Sequence, residues 1–143
     1  MKSDYVICPE CFKQNPFDED VDFESKCCLS CQSELLPVHP IEGDTELLLS
    51  LLHQSQPILV DFWGAWSGAC KQFAPLFNTY ADKYRGRVIF MKVNSEEQQV
   101  LANKLCINSF PTLIFLENGH EKQRLTGLID AAQLDLLLAK YSS

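Results

Sequence analysis

The sequence predicts an α/β domain, in which helices flank a mixed central sheet, preceded by a small N-terminal module rich in cysteine. Three observations support this class. The chain has 143 residues, of which 46% are hydrophobic and 22% charged, as expected for one globular domain with a small appendage. Five of the seven cysteines precede residue 32. Beyond residue 40, short apolar runs alternate with amphipathic segments, as alternating strands and helices do.

Four N-terminal cysteines form two C-x2-C pairs separated by sixteen residues, namely Cys8, Cys11, Cys28 and Cys31. This spacing is typical of a tetrahedral site in which four thiolates hold structural zinc, the alternative being a reduced or disulfide-linked cluster without metal. Because a module of about 30 residues has a small core, zinc would supply much of its folding free energy. Cys27 can replace Cys28, but the spacing of the first pair favours Cys28 and leaves Cys27 an uninvolved thiol.

The predicted parts are a zinc-binding module over 1–36, a linker over 37–43 and the main domain over 44–143. The segment Leu36–Pro40 contains two prolines and no periodicity, which indicates an extended linker. We interpret His39 as a linker histidine, since four cysteines already complete the metal site. Five acidic residues in 18–24 indicate a solvated loop.

The first half of the main domain is predicted to form a helix, a strand and a second helix. Asp44 is placed to cap a helix over Thr45–Gln54. Ile58–Trp63 is a continuous apolar run with one carboxylate, which predicts a buried parallel strand. A longer helix is predicted over 67–85, with a kink at Pro75.

The second half begins with a predicted strand over Val88–Asn94. Two sequence pairs of the type S/D-x-x-Q predict capping boxes. Ser95 with Gln98 would start a helix that ends near residue 105, and Asp130 with Gln133 would start the last helix.

A hairpin is predicted between these two helices, with strands over Thr112–Leu116 and Lys122–Thr126. The Asn118-Gly119 pair is the turn signal. The resulting order, αβαβαββα, predicts a mixed sheet covered by helices on both faces.

The segment Trp63–Lys71 lies where the first predicted strand meets a helix. A helix N-terminus offers free backbone N–H groups and a positive dipole end, which stabilise a thiolate. Redox proteins place a C-x-x-C pair there, in which the exposed first sulfur attacks a disulfide and the second resolves the mixed disulfide. This chain has Ser67-Gly68-Ala69-Cys70, so an oxygen replaces the exposed sulfur.

Several short segments together resemble thioredoxin over residues 41–143. They are Asp61-Phe62-Trp63, Trp66-Ser67-Gly68, Cys70-Lys71, Phe110-Pro111-Thr112, Asn118-Gly119 and Gly127. The four-cysteine segment resembles the zinc-containing bacterial subfamily often called thioredoxin 2. The resemblance implies a thioredoxin fold with a zinc-ribbon-like module, and a protein-disulfide reductase acting on disulfide-containing protein clients. It also implies recycling by thioredoxin reductase, structural zinc and no organic cofactor.

The resemblance also assigns roles to residues. Ser67 stands at the nucleophile's position, Cys70 matches the recessed resolving thiol, and Asp61 matches the buried general base paired with Lys92. A carboxylate in an apolar strand has a raised pKa, which suits proton transfer near neutrality. Pro111 matches the cis-proline of the client groove. The client-binding positions that the resemblance implies are Trp66, Gly68, Ala69, Phe110, Pro111 and Gly127.

Two departures from the family pattern Cys-Gly-Pro-Cys bear on activity, namely Ser67 and Ala69. Serine is far less acidic than cysteine and does not attack a disulfide at useful rates. We therefore expect no dithiol turnover from this chain. Ser67 is either a substitution introduced into an active protein or a natural divergence. Cys106 is expected to be a small buried hydrophobic residue.

Three functions stay open: a thioredoxin-2-like reductase lacking its nucleophile, a redox-silent client-binding module, and a zinc-dependent redox sensor. A net charge of −7 argues against a nucleic-acid partner. No apolar run is long enough to cross a bilayer, and the N-terminus carries no apolar signal stretch. We therefore expect a cytoplasmic protein without a membrane partner, and a monomer by default.

Overall fold

The structure, a computed structural model, describes residues 5–16, 27–33, 35, 39–52 and 56–141. Its strands are β1 (Tyr5–Ile7), β2 (Gln14–Pro16), β3 (Ile41–Gly43), β4 (Ile58–Trp63), β5 (Ile89–Asn94), β6 (Thr112–Glu117) and β7 (His120–Thr126). Its helices are α1 (Thr45–Leu51), α2 (Gly68–Lys83), α3 (Gln99–Lys104) and α4 (Ala131–Leu137), followed by a short 3₁₀ turn over Ala139–Tyr141. No helix in these ranges is long and apolar enough to cross a membrane. The acidic cluster at 18–24, linker residues 36–38 and the predicted helix end at 53–54 lie outside the described residues.

The sheet is mixed, as the sequence predicted, and has five strands in the order β3-β5-β4-β6-β7, one more than predicted. Strands β3 and β4 run parallel to β5, whereas β6 is antiparallel to both β4 and β7. Strand β4 is therefore central, and its register places Asp61 beside Lys92 of β5 and Leu113 of β6. Strands β1 and β2 form a separate antiparallel pair in the cysteine module.

Strand β3 lies inside the predicted linker and was not foreseen. Its three residues pair with Met91–Val93 of β5, so the contact that makes it a strand is distant in sequence. Gly43 permits close approach there, because an added Cβ would lie 2.5 Å from the Met91 sulfur. A three-residue strand carries too few positions to show a periodic signal.

Two of the three predicted helix caps are confirmed. The Asp44 carboxylate accepts a hydrogen bond from Leu47 N at 2.9 Å. Asp130 and Gln133 form both bonds of a capping box, at 2.9 and 3.0 Å. Helix α2 continues through Pro75 to Lys83.

The predicted capping box at Ser95 is wrong. Helix α3 begins at Gln99, four residues later, and its N-cap Gln98 makes no side-chain capping bond. The Asn94 side chain instead accepts from Glu96 N at 2.9 Å, which holds 95–97 in a turn. The Gln98 side-chain oxygen is occupied by Thr45, whose hydroxyl donates to it at 2.8 Å.

The core lies on both faces of the sheet, because alternate residues of β4 point to opposite sides. Val60 packs with residues of α1 and α3, whereas Leu59 packs with residues of α2 and α4. Ile7 of β1 joins the first of these clusters and is only 6% exposed, and Phe12 packs against the same cluster. The cysteine module is therefore docked on the α1 side of the main domain.

Candidate redox site and four-cysteine cluster

Ser67 is the N-cap of α2. Its backbone is extended, and its hydroxyl oxygen accepts a hydrogen bond from Cys70 N at 3.3 Å. Serine is among the preferred residues at this position because its oxygen satisfies a backbone N–H that the helix leaves unpaired. Both Ser67 and Cys70 are buried, at 8% and 7% exposure. The hydroxyl therefore stabilises the helix start, and the single sulfur of the motif lies recessed behind it.

Asp61 lies in the middle of β4 and is 2% exposed. Desolvation raises the pKa of its carboxyl group to about 7, against a smaller opposing effect of the Lys92 charge. Its Oδ1 atom has no hydrogen-bond partner within the part of the chain that the structure describes. A carboxyl group with this pKa can exchange a proton near neutral pH, which is a requirement for a general base.

Lys92 lies beside Asp61 in the register of the neighbouring strand β5. Its Nζ atom is 5.1 Å from the centre of the Trp63 ring, a distance suited to a cation–π contact. The predicted pair is thus adjacent across the sheet. The ring contact gives the lysine a second role in packing at the sheet end.

Four predicted client-binding residues come from three separate segments. Trp66 is 64% exposed, and its ring meets that of Phe110 edge-on with centroids 5.0 Å apart. The Phe110–Pro111 peptide bond is cis. The Pro111 carbonyl accepts from Gly127 N at 3.1 Å. The exposed Trp66 ring and the half-buried Phe110 ring therefore lie next to the backbone of Pro111.

The glycines around this surface differ in how much space they leave for a side chain. An added Cβ at Gly64 would lie 2.9 Å from the Trp66 indole, so the loop packs against that ring without room for a side chain. Gly68, on the first turn of α2, has open space around it and is exposed, while Ala69 is half-buried. Gly127 has a φ of 82°, which favours glycine.

The four module cysteines form one cluster, with all four Sγ atoms within 4.8 Å of one another. The Sγ atoms of Cys8 and Cys31 are 3.5 Å apart, and those of Cys11 and Cys28 are 3.6 Å apart. A tetrahedral zinc site with Zn–S bonds of about 2.3 Å requires sulfurs roughly 3.8 Å apart. The cluster can therefore hold a metal ion, and it contains Cys28 and not Cys27, which is exposed.

The two C-x2-C pairs sit on turns of the same backbone design, which we call knuckles (8–13 and 28–33). In the first knuckle, Cys8 N donates to Lys13 O and Phe12 N donates to Cys8 O. In the second, Cys28 makes the same two bonds, with Ser33 and Gln32. Phe12 and Gln32 both have positive φ, at 67° and 70°.

Backbone N–H groups point at two of the sulfurs. Glu10 N lies 3.4 Å from Cys8 Sγ, and Ser30 N lies 3.3 Å from Cys28 Sγ. Such donors stabilise thiolates, the form in which cysteine binds a metal. The donor set therefore fits a thiolate-binding metal such as zinc.

Sequence reasoning missed Asn15 and misplaced Cys106. Asn15 is buried and its side chain contacts Cys28 Sγ, but one asparagine in a three-residue strand gives no sequence signal. The prediction of a buried Cys106 is wrong, since it is exposed. It follows α3 with a φ of 57°, so the turn that ends the helix carries it to the surface.

Comparison with known proteins identifies the main domain. The thioredoxin family model matches residues 43–140. The chain belongs to the thioredoxin family. Its thioredoxin fold resembles a solved Schistosoma mansoni thioredoxin, with a TM-score of 0.65 and 33% identity over 73% of this chain and 96% of that one. It also resembles a solved mutant thioredoxin from Halobacterium salinarum, with a TM-score of 0.68 and 25% identity over 76% of this chain and 95% of that one.

Curated thioredoxins match over different lengths. Thioredoxin C-3 of Corynebacterium nephridii is 30% identical over 130 residues, which cover 90% of this chain and 89% of that protein. The chloroplast M-type thioredoxin of Spinacia oleracea is 34% identical over 93 residues, or 65% of this chain. The chain spans about half the length of the spinach relative, at 51%.

Proposed function

We propose that this chain is a thioredoxin-2-like protein, in which a zinc-bound four-cysteine module precedes a thioredoxin domain whose nucleophile position holds Ser67. The observation that carries the proposal is the four-sulfur cluster joined to a thioredoxin domain. The bacterial relative supports it, because a match covering 90% of the chain includes much of the N-terminal segment. We assign the module to 1–36, the linker to 37–43 and the domain to 44–143, with the last three linker residues joining the domain sheet as β3.

Disulfide reduction requires a thiolate that attacks the client disulfide and a second thiol that resolves the product. Ser67 supplies a hydroxyl that caps α2, and the Cys70 sulfur is buried. No disulfide can form between these two residues, so thioredoxin reductase has no bond to reduce at this site. The chain as written therefore lacks dithiol turnover.

Apart from Ser67 and Ala69, the residues to which the thioredoxin resemblance assigns the reductase chemistry are present. Asp61, with a pKa of about 7, is placed on the strand that leads into the motif and would take the proton of Cys70 during resolution. The Lys92 charge would favour the ionised form of Asp61, which is the form that can accept this proton. Restoring a sulfur at position 67 is therefore expected to restore reduction.

The client surface is the second part of the proposal. Trp66 and Phe110 contribute two rings in contact, Pro111 and Gly127 contribute backbone segments joined by a hydrogen bond, and Gly68 and Ala69 contribute the first turn of α2. An extended segment of a disulfide-containing protein fits such a surface by backbone pairing. A redox-silent client-binding role is the second candidate, favoured by the exposure of Trp66. We place the protein in the cytoplasm as a monomer.

Reduction of insulin disulfides by dithiothreitol tests the proposal, with the chain compared with its Ser67→Cys and Ser67→Ala variants. We expect the chain and Ser67→Ala to stay at the rate of reductant alone, and Ser67→Cys to exceed it clearly. Background rates for all three would favour the client-binding role. Turnover by the chain itself would contradict the proposal, since Cys70 would then be a nucleophile.

Zinc is tested separately, by metal analysis of the purified chain and of Cys28→Ser. We expect one zinc per chain, and its loss in the variant. A chain that purifies without metal and takes up none on titration would contradict the metal assignment while leaving the thioredoxin assignment unaffected.

A further inference from the structure

Asn15 lies outside both C-x2-C pairs, yet its side chain joins the two knuckles. It sits in β2 and is 2% exposed. Its Nδ2 atom lies 3.1 Å from Lys13 O and 3.5 Å from Cys28 Sγ, and its Oδ1 atom lies 2.9 Å from Leu29 N. One amide thus contacts the end of the first knuckle and two residues of the second.

The partners fix which way the amide points. Leu29 N can only donate, so it faces the side-chain oxygen, and Lys13 O can only accept, so it faces the side-chain nitrogen. The nitrogen is consequently the atom next to Cys28 Sγ, a sulfur that is itself buried. Asn15 therefore presents an N–H donor to one of the four sulfurs from outside its own knuckle.

We propose that Asn15 is a positioning residue of the four-cysteine metal site, which holds the second knuckle in place and stabilises Cys28 as a metal-bound thiolate. The inference rests on the proposed metal-binding role of the cluster. Hydrogen bonds to metal ligands orient them, and their loss typically costs about 10- to 100-fold in metal affinity. A donor buried with its acceptor is also more effective than one in water.

Ser33 provides the natural comparison. It lies 3.3 Å from Cys31 Sγ, two residues away in the same exposed turn. This contact neither links the knuckles nor excludes water. Removing the Ser33 hydroxyl should therefore affect metal retention much less than removing the Asn15 amide.

The test compares the zinc-loaded full chain with Asn15→Asp, Asn15→Ala, Ser33→Ala and the exposed-strand control Gln14→Ala. The readouts are the rate of zinc transfer to a chromogenic chelator, the pH at which half the zinc is released, and the thiolate-to-cobalt charge-transfer band of the Co²⁺-loaded protein. Asn15→Asp is decisive because it keeps an acceptor for Leu29 N but replaces the N–H next to the sulfur with an anionic oxygen. Far-UV circular dichroism checks that each variant is folded.

We expect Asn15→Asp and Asn15→Ala to release zinc about 10- to 100-fold faster than the unaltered chain. The half-release pH should rise in Asn15→Asp and the cobalt band should shift, since protons then compete better for Cys28. Ser33→Ala and Gln14→Ala should change the rate less than about threefold on the same scale. A variant that purifies without metal is titrated with Co²⁺, which gives its affinity directly.

Unaltered rate, half-release pH and cobalt band in Asn15→Asp would overturn the inference. Fast release from Asn15→Ala alone would also overturn it, since the Leu29 contact would then suffice. A chain that binds no metal would instead refute the proposed metal site, and the inference with it.

Discussion

Burial changes the ionisation of Asp61, at the centre of the sheet. Two factors oppose each other there. Desolvation by the apolar strand raises the carboxyl pKa, the positive charge of Lys92 lowers it, and desolvation dominates. The fold therefore retains a proton-exchanging group even though the motif contains one sulfur. The ionisation of Asp61 should be measurable as a pH dependence of the free energy of unfolding.

The pH dependence of stability follows from this pKa. Because the folded-state pKa is about 7 and the ordinary value 3.8, the folded chain binds this proton more tightly than the unfolded chain. The resulting stabilisation is complete below about pH 4 and is lost as pH rises through about 7. Asn in place of Asp61 removes this stabilisation. The unaltered chain should therefore lose a few kcal/mol of unfolding free energy relative to Asp61→Asn between about pH 5 and pH 8.5, since a tenfold change in acidity is worth about 1.4 kcal/mol.

Urea unfolding of both proteins at the two pH values measures this difference, and the pH-independent effect of the amide cancels. Asp82→Asn removes an exposed carboxylate of α2 and serves as the control. Parallel stability curves for the unaltered chain and Asp61→Asn would show that Asp61 does not titrate in this range.

Single residues differed in how far the sequence could predict them. Asp61 stood out because it interrupts an apolar run, and Ser67 because it occupies a helix start beside a lone cysteine. Asn15 could not be predicted, since its role depends on Cys28, thirteen residues away across the module. The exposure of Cys106 depends on a left-handed turn residue that composition does not specify.

At the scale of elements, the helix starts show where local sequence is sufficient to predict a cap. Asp130 forms both bonds of its capping box, whereas Ser95 forms no cap, because Asn94 already holds the following turn. The Ser95 hydroxyl is buried and has no hydrogen-bond partner among the described residues. A sequence motif thus predicts a cap only when no neighbouring side chain competes for the same backbone groups.

Alanine substitutions test this distinction. Asp130→Ala should lower the free energy of unfolding by about 1 kcal/mol, the usual cost of losing a helix cap. Ser95→Ala should leave stability unchanged or raise it slightly, because it removes a buried hydroxyl that forms no bond. Chemical denaturation of both variants measures the contrast, and equal losses would show that Ser95 does cap a helix.

Dependence on other parts of the chain also explains which strands could be predicted from the sequence. The runs of β4 and β5 were long enough to predict from their apolar character. Strand β3 was not, because its three residues become a strand only through pairing with β5. The turn between β6 and β7 was predicted at Asn118-Gly119, and both residues have the positive φ that such turns require.

On the scale of the whole molecule, the cysteine module and the thioredoxin domain share apolar contacts. Ile7 and Phe12 reach from the module into the cluster beneath α1, and Ile7, Leu35 and Ile41 line a small cavity between the two parts. The core of the domain, however, is made by residues of its own sheet and helices. Loss of the module's structure should therefore weaken the domain without unfolding it.

Metal removal provides the corresponding prediction. A strong chelator with a reductant should abolish amide-hydrogen protection in 5–16 and 27–33, because metal binding supplies most of the folding free energy of so small a module. Strands β4 and β5 should keep their protection, since they are held by the domain core. Protection near Ile41 and Leu51 should fall partially, because those residues lose the contact with Ile7.

Hydrogen exchange read by mass spectrometry before and after chelation, with zinc added back as the control, separates these regions. Unfolding of β4 and β5 on chelation would show that the two parts fold as one unit, and unchanged protection in the module would show that its structure does not depend on metal.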